Sequence, residues 1–302
     1  VNTLDTKYLN LCKTILAEGV RKPNRTGTDT IATSGLSIRH DMSDGFPLIT
    51  TKKMAYKTCR VELEGFIGGQ TSKKWYQDRG CKIWNEWCNP RKVPYGTDDE
   101  THARMAAEDD LGEIYGAQWR NFHDPSLTER SATGINDGVA TYFNGGRVDQ
   151  LENIVRTLKT NPSDRRMICS AWNPLALDRM ALPPCHFAWQ VVVVGDRLDL
   201  IWTQRSCDFP IGAPFNIVSY ATLLHLLAKE SGYKEGILTG NFGDIHIYEN
   251  CVDAIKEQLT REPYDLPTIE TENFTSIFDW KAEDTKLIGY KSHPAIKMDV
   301  SV

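Results

Sequence analysis

The eight cysteines include no Cys-x-x-Cys pair; they stand at 12, 59, 81, 88, 169, 185, 207 and 251, and neither His102 nor His123 falls at zinc-finger spacing from one. Disulfide frameworks belong to short secreted chains, and this chain has 302 residues. No disulfide scaffold and no metal are expected; most of these thiols read as small buried hydrophobes. The chain also lacks GxGxxG, Walker, HExxH and GxSxG signatures, which argues against dinucleotide-fold, P-loop, zincin and serine-hydrolase chemistry. No apolar run approaches the roughly 20 residues that cross a bilayer. No basic leader precedes an apolar stretch, so a cytoplasmic protein is expected. With a formal net charge of -5, nothing global attracts nucleic acid or an anionic membrane, and no dedicated partner of either kind is expected. An anionic small substrate would need a local arginine cluster.

What is present suits a folded globular protein, with 40% hydrophobic residues in a length that fits one large domain or two modest ones. Leu4, Tyr8, Leu11, Cys12, Ile15 and Leu16 recur at helical spacing and predict a helix over 4–18. A loop follows over 24–29, then strands within 30–41, a turn at Gly45-Phe46-Pro47 and a helix over 54–68. Residues 88–110 read as an irregular excursion or a small helical subdomain. Residues 121–145, with Pro125, Gly134, Gly138 and Gly145, read as a long surface loop insertion. A helix is expected over 147–159, ended by Pro162. Strands are expected over 166–172, then over 187–194 and 198–204 as a hairpin turning at Gly195-Asp196. A long apolar helix over 216–231 closes at Gly232, and further strands are expected over 238–244 and around Ile277-Phe278. Helices alternating with mostly hairpin-linked strands make the class α+β rather than doubly wound. No linker argues for independent domains, so a single catalytic domain over 1–302 is the expectation.

Two segments carry the chemistry. In Leu182-Pro183-Pro184-Cys185-His186 two prolines restrict the backbone before a cysteine, the layout of a nucleophile. The residues alone leave a buried structural cysteine equally open. His186 reads as a base or, preferably, as a hydrogen-bonded core residue. In Gln204-Arg205-Ser206-Cys207-Asp208 an arginine and a hydroxyl are adjacent, a layout that grips phosphate. Arg25, Arg165 and Arg166 are further candidates, although an isolated arginine is more often a surface charge. Trp84, Trp87, Trp119, Trp172, Trp189 and Trp202 could wall a planar heterocycle or simply fill the core. Glu62 sits in a largely apolar helical pattern; facing inward it needs a role, facing outward it is a surface carboxylate. Asn216 offers an amide that can donate and accept at a pyrimidine-like edge.

These segments belong to a longer series. Arg25-Thr-Gly-Thr28, Asp44-Gly-Phe-Pro-Leu-Ile-Thr-Thr-Lys-Lys53, Ile83-Trp84 through Trp87, Leu111-Gly112 with Tyr115-Gly116-Ala-Gln-Trp119-Arg120, Asp164-Arg-Arg166, Ser170-Ala-Trp-Asn-Pro174, Ala181-Leu-Pro-Pro-Cys185-His186, Gln204-Arg-Ser-Cys-Asp208, Pro214-Phe-Asn-Ile217, Gly243-Asp244 with His246-Ile-Tyr248, and His293-Pro-Ala-Ile-Lys297 run in order along nearly the whole chain. Together they resemble the folate-dependent, non-flavin thymidylate synthases and the related pyrimidine nucleotide hydroxymethylases. The resemblance implies a single α+β domain, a large twisted mixed sheet packed against helices, with the sheets of two subunits back to back in a homodimer with shared active sites. It implies dUMP and 5,10-methylenetetrahydrofolate as substrate and cosubstrate. By position, Cys185 would attack pyrimidine C6, and Arg25, Arg205 and Ser206 would bind phosphate with Gln204 beside them. Arg165 and Arg166 would reach the phosphate site of the other subunit. Asn216 would read the O4/N3 edge, and His246 and Tyr248 would bind the 3′-hydroxyl. Glu62 and Tyr115 would manage protons through ordered water. Trp84 and Asp208 would face the folate, with Asp208 on the pterin and Lys52 at the glutamate tail. Ile83, Trp87, Gly212, Phe215 and Val302 would complete the folate side.

Two products remain open at this point, because thiolate addition at C6 and attack of C5 on the folate methylene are common to both. Hydride transfer gives dTMP and dihydrofolate, the first reading. Water addition gives 5-hydroxymethyl-dUMP and tetrahydrofolate, the alternative. Departures bear on this choice: Phe209-Pro210-Ile211-Gly212 where the family has Val-Phe-Leu-Gly, Glu64-Gly65 where it has Leu-Trp, Phe242 in place of a small residue, and an unusual Asp299-Val-Ser-Val302 tail. A looser tail would admit water and favour the hydroxymethyl product.

Overall fold

The computed structural model describes residues 2–24, 26–123 and 146–299. Arg25, Val302 and residues 124–145 of the expected insertion lie outside the described residues. The chain runs through α1 (Thr3–Glu18), β1 (Val20–Lys22), β2 (Thr30–Asp41), α2 (Tyr56–Ile67), α3 (Lys73–Asp78), α4 (Asp99–Ala107), α5 (Tyr115–Asn121), β3 (Phe122–His123) and β4 (Arg147–Val148). It continues through α6 (Gln150–Thr160), β5 (Ile168–Ser170), β6 (His186–Val194), β7 (Arg197–Asp208), α7 (Gly212–Ser231), β8 (Lys234–Tyr248), α8 (Val252–Gln258), β9 (Thr268–Thr271) and β10 (Thr285–Ile288). This is a mixed sheet packed with helices, the expected α+β class. Two compact units are present, one of Val1–Arg60 with Trp189–Val302 and one of Val61–Ala188.

In the first unit the strand order is β1-β2-β8-β7-β6. β8 pairs antiparallel with β2, placing Ala32 opposite His246, and parallel with β7, placing Ser206 opposite Asp244 and Asp208 opposite His246. Period-two patterning buries Leu198, Leu200, Trp202 and Gln204 along β7. Trp202 stacks on Tyr220 of α7 at 5.1 Å between ring centroids. Its ring lies where a Cβ at Gly240 would fall, so only glycine fits opposite it. α7 is apolar on nearly every side, and its residues from Ala213 to Ala228 are mostly buried, as a central helix requires. Gly232, at φ 79°, terminates it. Phe209 stacks on Tyr8 of α1 at 5.0 Å and meets Phe242 of β8 edge-on at 5.8 Å. Burying a side chain of this size contributes roughly 2 kcal/mol. Phe209, read from sequence as a departure on the folate side, and Phe242, read as a departure where a small residue is usual, are thus partners in the core.

In the second unit Phe66 of α2 is the centre of an aromatic cluster, with Tyr115 at 4.9 Å, Trp119 at 5.7 Å and His186 at 6.2 Å. α5 can approach α2 because Gly116 has no side chain: a Cβ there would lie 2.7 Å from the Phe66 Cα. β5 lies beside the start of β6, where the Ala171 N–H bonds the Phe187 carbonyl at 2.8 Å.

Several boundaries move. Asp149 caps α6 through the Glu152 N–H, so that helix starts at Gln150 rather than 147. The strand expected over 166–172 is only Ile168–Ser170. α7 begins four residues before the expected 216, because Pro214 falls in its first turn, where its missing N–H costs nothing. The helical alternative holds within 88–110, where Asp98 caps α4. Asn121 ends α5 and Phe122–His123 form a strand, so these residues do not belong to a loop. No strand forms around Ile277-Phe278; Ile277 is fully buried in a turn whose N–H bonds Glu230 Oε2 at 2.8 Å. Its apolarity serves packing, and the strands of this region are β9 and β10, paired antiparallel.

Candidate active site

The Cys185 loop is built from the second unit. Leu111 receives the Ala181 N–H at 2.9 Å, and the Tyr95 hydroxyl donates to the Ala181 carbonyl at 2.5 Å. The two prolines then lead to Cys185, which is half-buried while Cys12, Cys59, Cys81, Cys88, Cys169, Cys207 and Cys251 are buried. The Cys185 backbone N–H donates to the Tyr115 hydroxyl at 2.8 Å. Tyr115 is held between rings, stacked on His186 at 4.2 Å and on Phe66 at 4.9 Å. His186 is the core residue preferred from sequence: burial pushes its imidazole down to about 3, so it stays neutral and is too weak a base for chemistry near pH 7. Cys207 is packed and fully buried.

Glu62 faces inward and is 7% exposed. Burial pushes its carboxyl up to about 7, and the Trp84 indole draws it partly back, although Trp84 Nε1 makes no well-formed hydrogen bond. A carboxyl poised there can take or give a proton at physiological pH. Trp84 reaches this position through the turn that ends α3: Cys81 N–H returns to the Tyr76 carbonyl at 2.9 Å around Gly80 at φ 80°. The ring of Trp84 meets Tyr115 at 6.2 Å and Phe66 at 6.5 Å. Cys185, Tyr115, Glu62 and Trp84 are therefore brought into one aromatic-walled cluster. Trp87 stands beside Tyr95 at 5.9 Å, and Ile83 is 38% exposed. Arg165 and Arg166 are exposed in the same unit, and Arg166 makes a two-pronged pair with Asp164, at 2.9 Å through Nε and 2.8 Å through Nη2.

The first unit presents a polar group along β7, β8 and the start of α7. Gln204 is buried and its Nε2 donates to Asn216 Oδ1 at 3.0 Å and to the Ser206 carbonyl at 3.0 Å. The Asn216 carbonyl is thereby held, which leaves its Nδ2 as the donor end of the amide. Arg205 is exposed and Ser206 half-buried beside them. His246, 8% exposed, bonds Asp244 Oδ1 through Nδ1 at 2.8 Å, and Tyr248 meets its ring edge-on at 5.3 Å. Asp244 also pairs with Lys22. Burial pushes the Asp244 carboxyl up, but hydrogen bonds from Lys22 and His246 outweigh it and leave it below its ordinary value. Sequence reasoning assigned Asp244 no role, although its spacing of two from His246 on a strand puts both on one face.

Asp208 ends β7 and accepts the Ile211 N–H at 3.4 Å, next to Gly212 and Phe215 at the start of α7. Burial raises its carboxyl, and His246, the Ile211 N–H and Lys52 partly offset that. Lys52, expected at a glutamate tail, is turned inward in the chain by itself. It is 7% exposed, and its Nζ donates to the Pro210 carbonyl at 2.6 Å and to Met298 Sδ at 3.4 Å. Burial pushes its ammonium down to about 8. The turn before it is organised by buried Asp5, which accepts the N–H and hydroxyl groups of Thr50 and Thr51. Asn250 Nδ2 and Cys251 Sγ contact the Asp299 carbonyl at 3.3 and 3.8 Å, so the C-terminal segment is docked up to that residue. Among the described residues, no group of three or more His, Cys, Asp or Glu side chains could hold a metal ion, and no helix is long and apolar enough to cross a membrane.

Comparison with known proteins gives a coherent result. A family model described as thymidylate synthase matches residues 6–302. A thymidylate synthase of Staphylococcus haemolyticus (strain JCSC1435) is 38% identical over 335 residues, covering 100% of both chains. A bifunctional dihydrofolate reductase-thymidylate synthase of Paramecium tetraurelia is 41% identical over 298 residues, which take in 99% of this chain and 61% of that protein.

Proposed function

The chain belongs to the thymidylate synthase family, and from that premise we infer that it transfers the one-carbon unit of 5,10-methylenetetrahydrofolate to C5 of dUMP, giving dTMP and dihydrofolate. The observation that carries this reading is the half-buried Cys185, set by its two prolines and tied through its N–H to Tyr115. The Cys185 thiolate adds to C6 of the pyrimidine, and the electron pair moves to C5 and O4. Asn216, its carbonyl held by Gln204, donates to O4 and disperses that charge. C5 then bonds to the folate methylene. Tyr115, with Glu62 acting through ordered water, accepts the C5 proton. Elimination leaves an exocyclic methylene on the pyrimidine and tetrahydrofolate, whose hydride completes the methyl group as Cys185 departs.

Arg205 and Ser206, with Gln204 and Arg25, serve the phosphate, and His246 and Tyr248 serve the 3′-hydroxyl. The partly open Asp208 carboxylate, which among the described residues accepts one long hydrogen bond, from Ile211, retains acceptors that suit the amide and guanidine-like N–H groups of a pterin. Ile83, Trp84, Trp87, Gly212, Phe215 and Val302 form the rest of the folate side. Lys52, whose Nζ reaches Met298 of the C-terminal segment, serves the glutamate tail of the folate. We place these residues in a single catalytic domain that works as a cytoplasmic homodimer, with Arg165 and Arg166 serving the other subunit's phosphate. Support for the dimer lies in apolar positions left open on β6 and β7, among them the half-buried Val192 and Ile201 and the exposed Val194. The methyl product is favoured over the hydroxymethyl product because Phe209 and Phe242 pack into the core and the tail is docked through Asp299.

Mass spectrometry of the product from purified protein, dUMP and methylenetetrahydrofolate, with dihydrofolate followed in the same tube, tests this. dTMP with matching dihydrofolate is expected. Hydroxymethyl-dUMP without dihydrofolate would overturn it.

A further inference from the structure

Helix α2 carries a glycine in its interior, Gly65, three residues after Glu62 and so on the same side of the helix. Such a glycine costs about 1 kcal/mol relative to alanine, so its presence needs a reason. The reason is Tyr76. A Cβ at Gly65 would lie within 2.5 Å of Cε1, Cζ and the hydroxyl oxygen of that ring, so a side chain there would have to displace it. Tyr76 comes from α3, is 0% exposed and lies 6.4 Å from the Trp84 ring at a tilt of 40°. Its hydroxyl is 3.5 Å from the Gln70 carbonyl, at the outer limit of a hydrogen bond. The position that holds tryptophan in the family pattern is thus emptied on α2 and covered from α3.

We propose that Tyr76, seated on Gly65, is a positioning residue for the reaction: its ring closes the Glu62 carboxyl off from water and holds the Trp84 indole beside it. Burial, and then the negative charge of Glu62, raise the Tyr76 phenol well above its ordinary value and the buried Cys81 thiol to about 12, so both groups lie within reach of that carboxylate and remain neutral. Tyr76, Cys81 and Trp84 all interact electrostatically with Glu62, and none of them carries a charge at neutral pH. This neutral enclosure keeps its proton affinity high. The sequence hides the arrangement because Gly65 reads there only as a lost tryptophan, and Tyr76 as one more apolar residue of a short helix.

The inference rests on the assignment of Glu62 to proton handling, and the test separates the two. The pH dependence of kcat at saturating dUMP and methylenetetrahydrofolate is measured for the full-length protein and for Tyr76→Phe, Tyr76→Leu, Gly65→Ala and Glu62→Gln. Tyr76→Phe, which keeps the ring, should retain the limb set by Glu62. Tyr76→Leu and Gly65→Ala, the second of which displaces the ring while leaving every core side chain present, should move that limb down by about one pH unit or more. They should lower kcat about tenfold, with the KM for dUMP within about twofold. Gly65→Ala decides the matter if Tyr76→Leu shows no cooperative thermal transition. Retained turnover in Glu62→Gln would overturn the role of Glu62 itself. Lost turnover there, with unshifted profiles in Tyr76→Leu and Gly65→Ala, would overturn the role of Tyr76 alone.

Discussion

The hydroxyl oxygen of Tyr115 accepts the backbone N–H of Cys185 at 2.8 Å. This bond ties the residue that presents the thiol to a phenol clamped between Phe66 and His186. On the proposed function, position and proton transfer are therefore coupled in one side chain. Tyr115→Phe keeps the stack and removes the bond. The expected outcome is a fall in kcat of about 100-fold, typical for loss of an acid–base group, with the KM for dUMP changed by less than about fivefold. Steady-state kinetics checks it, and a kcat within twofold of wild type would refute the role of Tyr115.

Glu62 makes stability depend on pH. Its carboxyl rises from 4.5 unfolded to about 7 folded. Between those values the native state binds more protons than the unfolded state, so stability falls as pH rises from about 4.5 to about 7. Above that window the penalty is fully present, at about 3 kcal/mol as an upper bound. Glu62→Gln should remove the slope. Its thermal midpoint should exceed that of wild type at pH 8 and match it near pH 4. Parallel melting curves across this range would contradict the buried, proton-hungry carboxyl.

On the proposed function, Asn216 sets the choice of pyrimidine. With its carbonyl engaged by Gln204 at 3.0 Å, its amide nitrogen is the group left to face a ligand, and uracil O4 is an acceptor. Asn216→Asp replaces that donor with a second acceptor, which suits the exocyclic amine of cytosine. The ratio of kcat/KM for dUMP over dCMP should fall by about 100-fold or more. Release of tritium from C5-labelled nucleotides measures it, and an unchanged ratio would remove Asn216 from this role.

Asp244 should act on nucleotide binding through His246. It holds Nδ1 at 2.8 Å and so leaves Nε2 to meet a ribose hydroxyl. Asp244→Ala frees the ring and also strips Lys22 of its partner. The KM for dUMP should rise about tenfold while kcat changes less than about threefold, and Asp244→Asn should recover part of the loss. A KM equal to that of wild type in both variants would show that His246 needs no such support.

The ease of reading different regions from sequence had physical causes. α1 and the β6–β7 hairpin were plain because local periodicity and the Gly195-Asp196 turn act over a few residues. α7 was plain except at its start, where a proline in the first turn resembles a helix breaker. Ile277 was misread because apolarity reports burial and not conformation; its buried turn looks like a strand in one dimension. The burial of Lys52 was hidden for a related reason, since nothing local to it shows that its amine lies on the Pro210 carbonyl.

The chemistry belonged to the sequence alone: a proline-fixed Cys185, the Gln204–Asp208 segment and Asn216 are short-range patterns whose residue types already limit what the site can do. Tertiary structure decided which groups have the energetics to carry it out. The raised carboxyl of Glu62, the neutral imidazole of His186, the Asp244 support of His246 and the Tyr76 ring on Gly65 all arise between residues distant in the chain or turned inward by packing. Desolvation depends on everything surrounding a group, and no local pattern of residues encodes it.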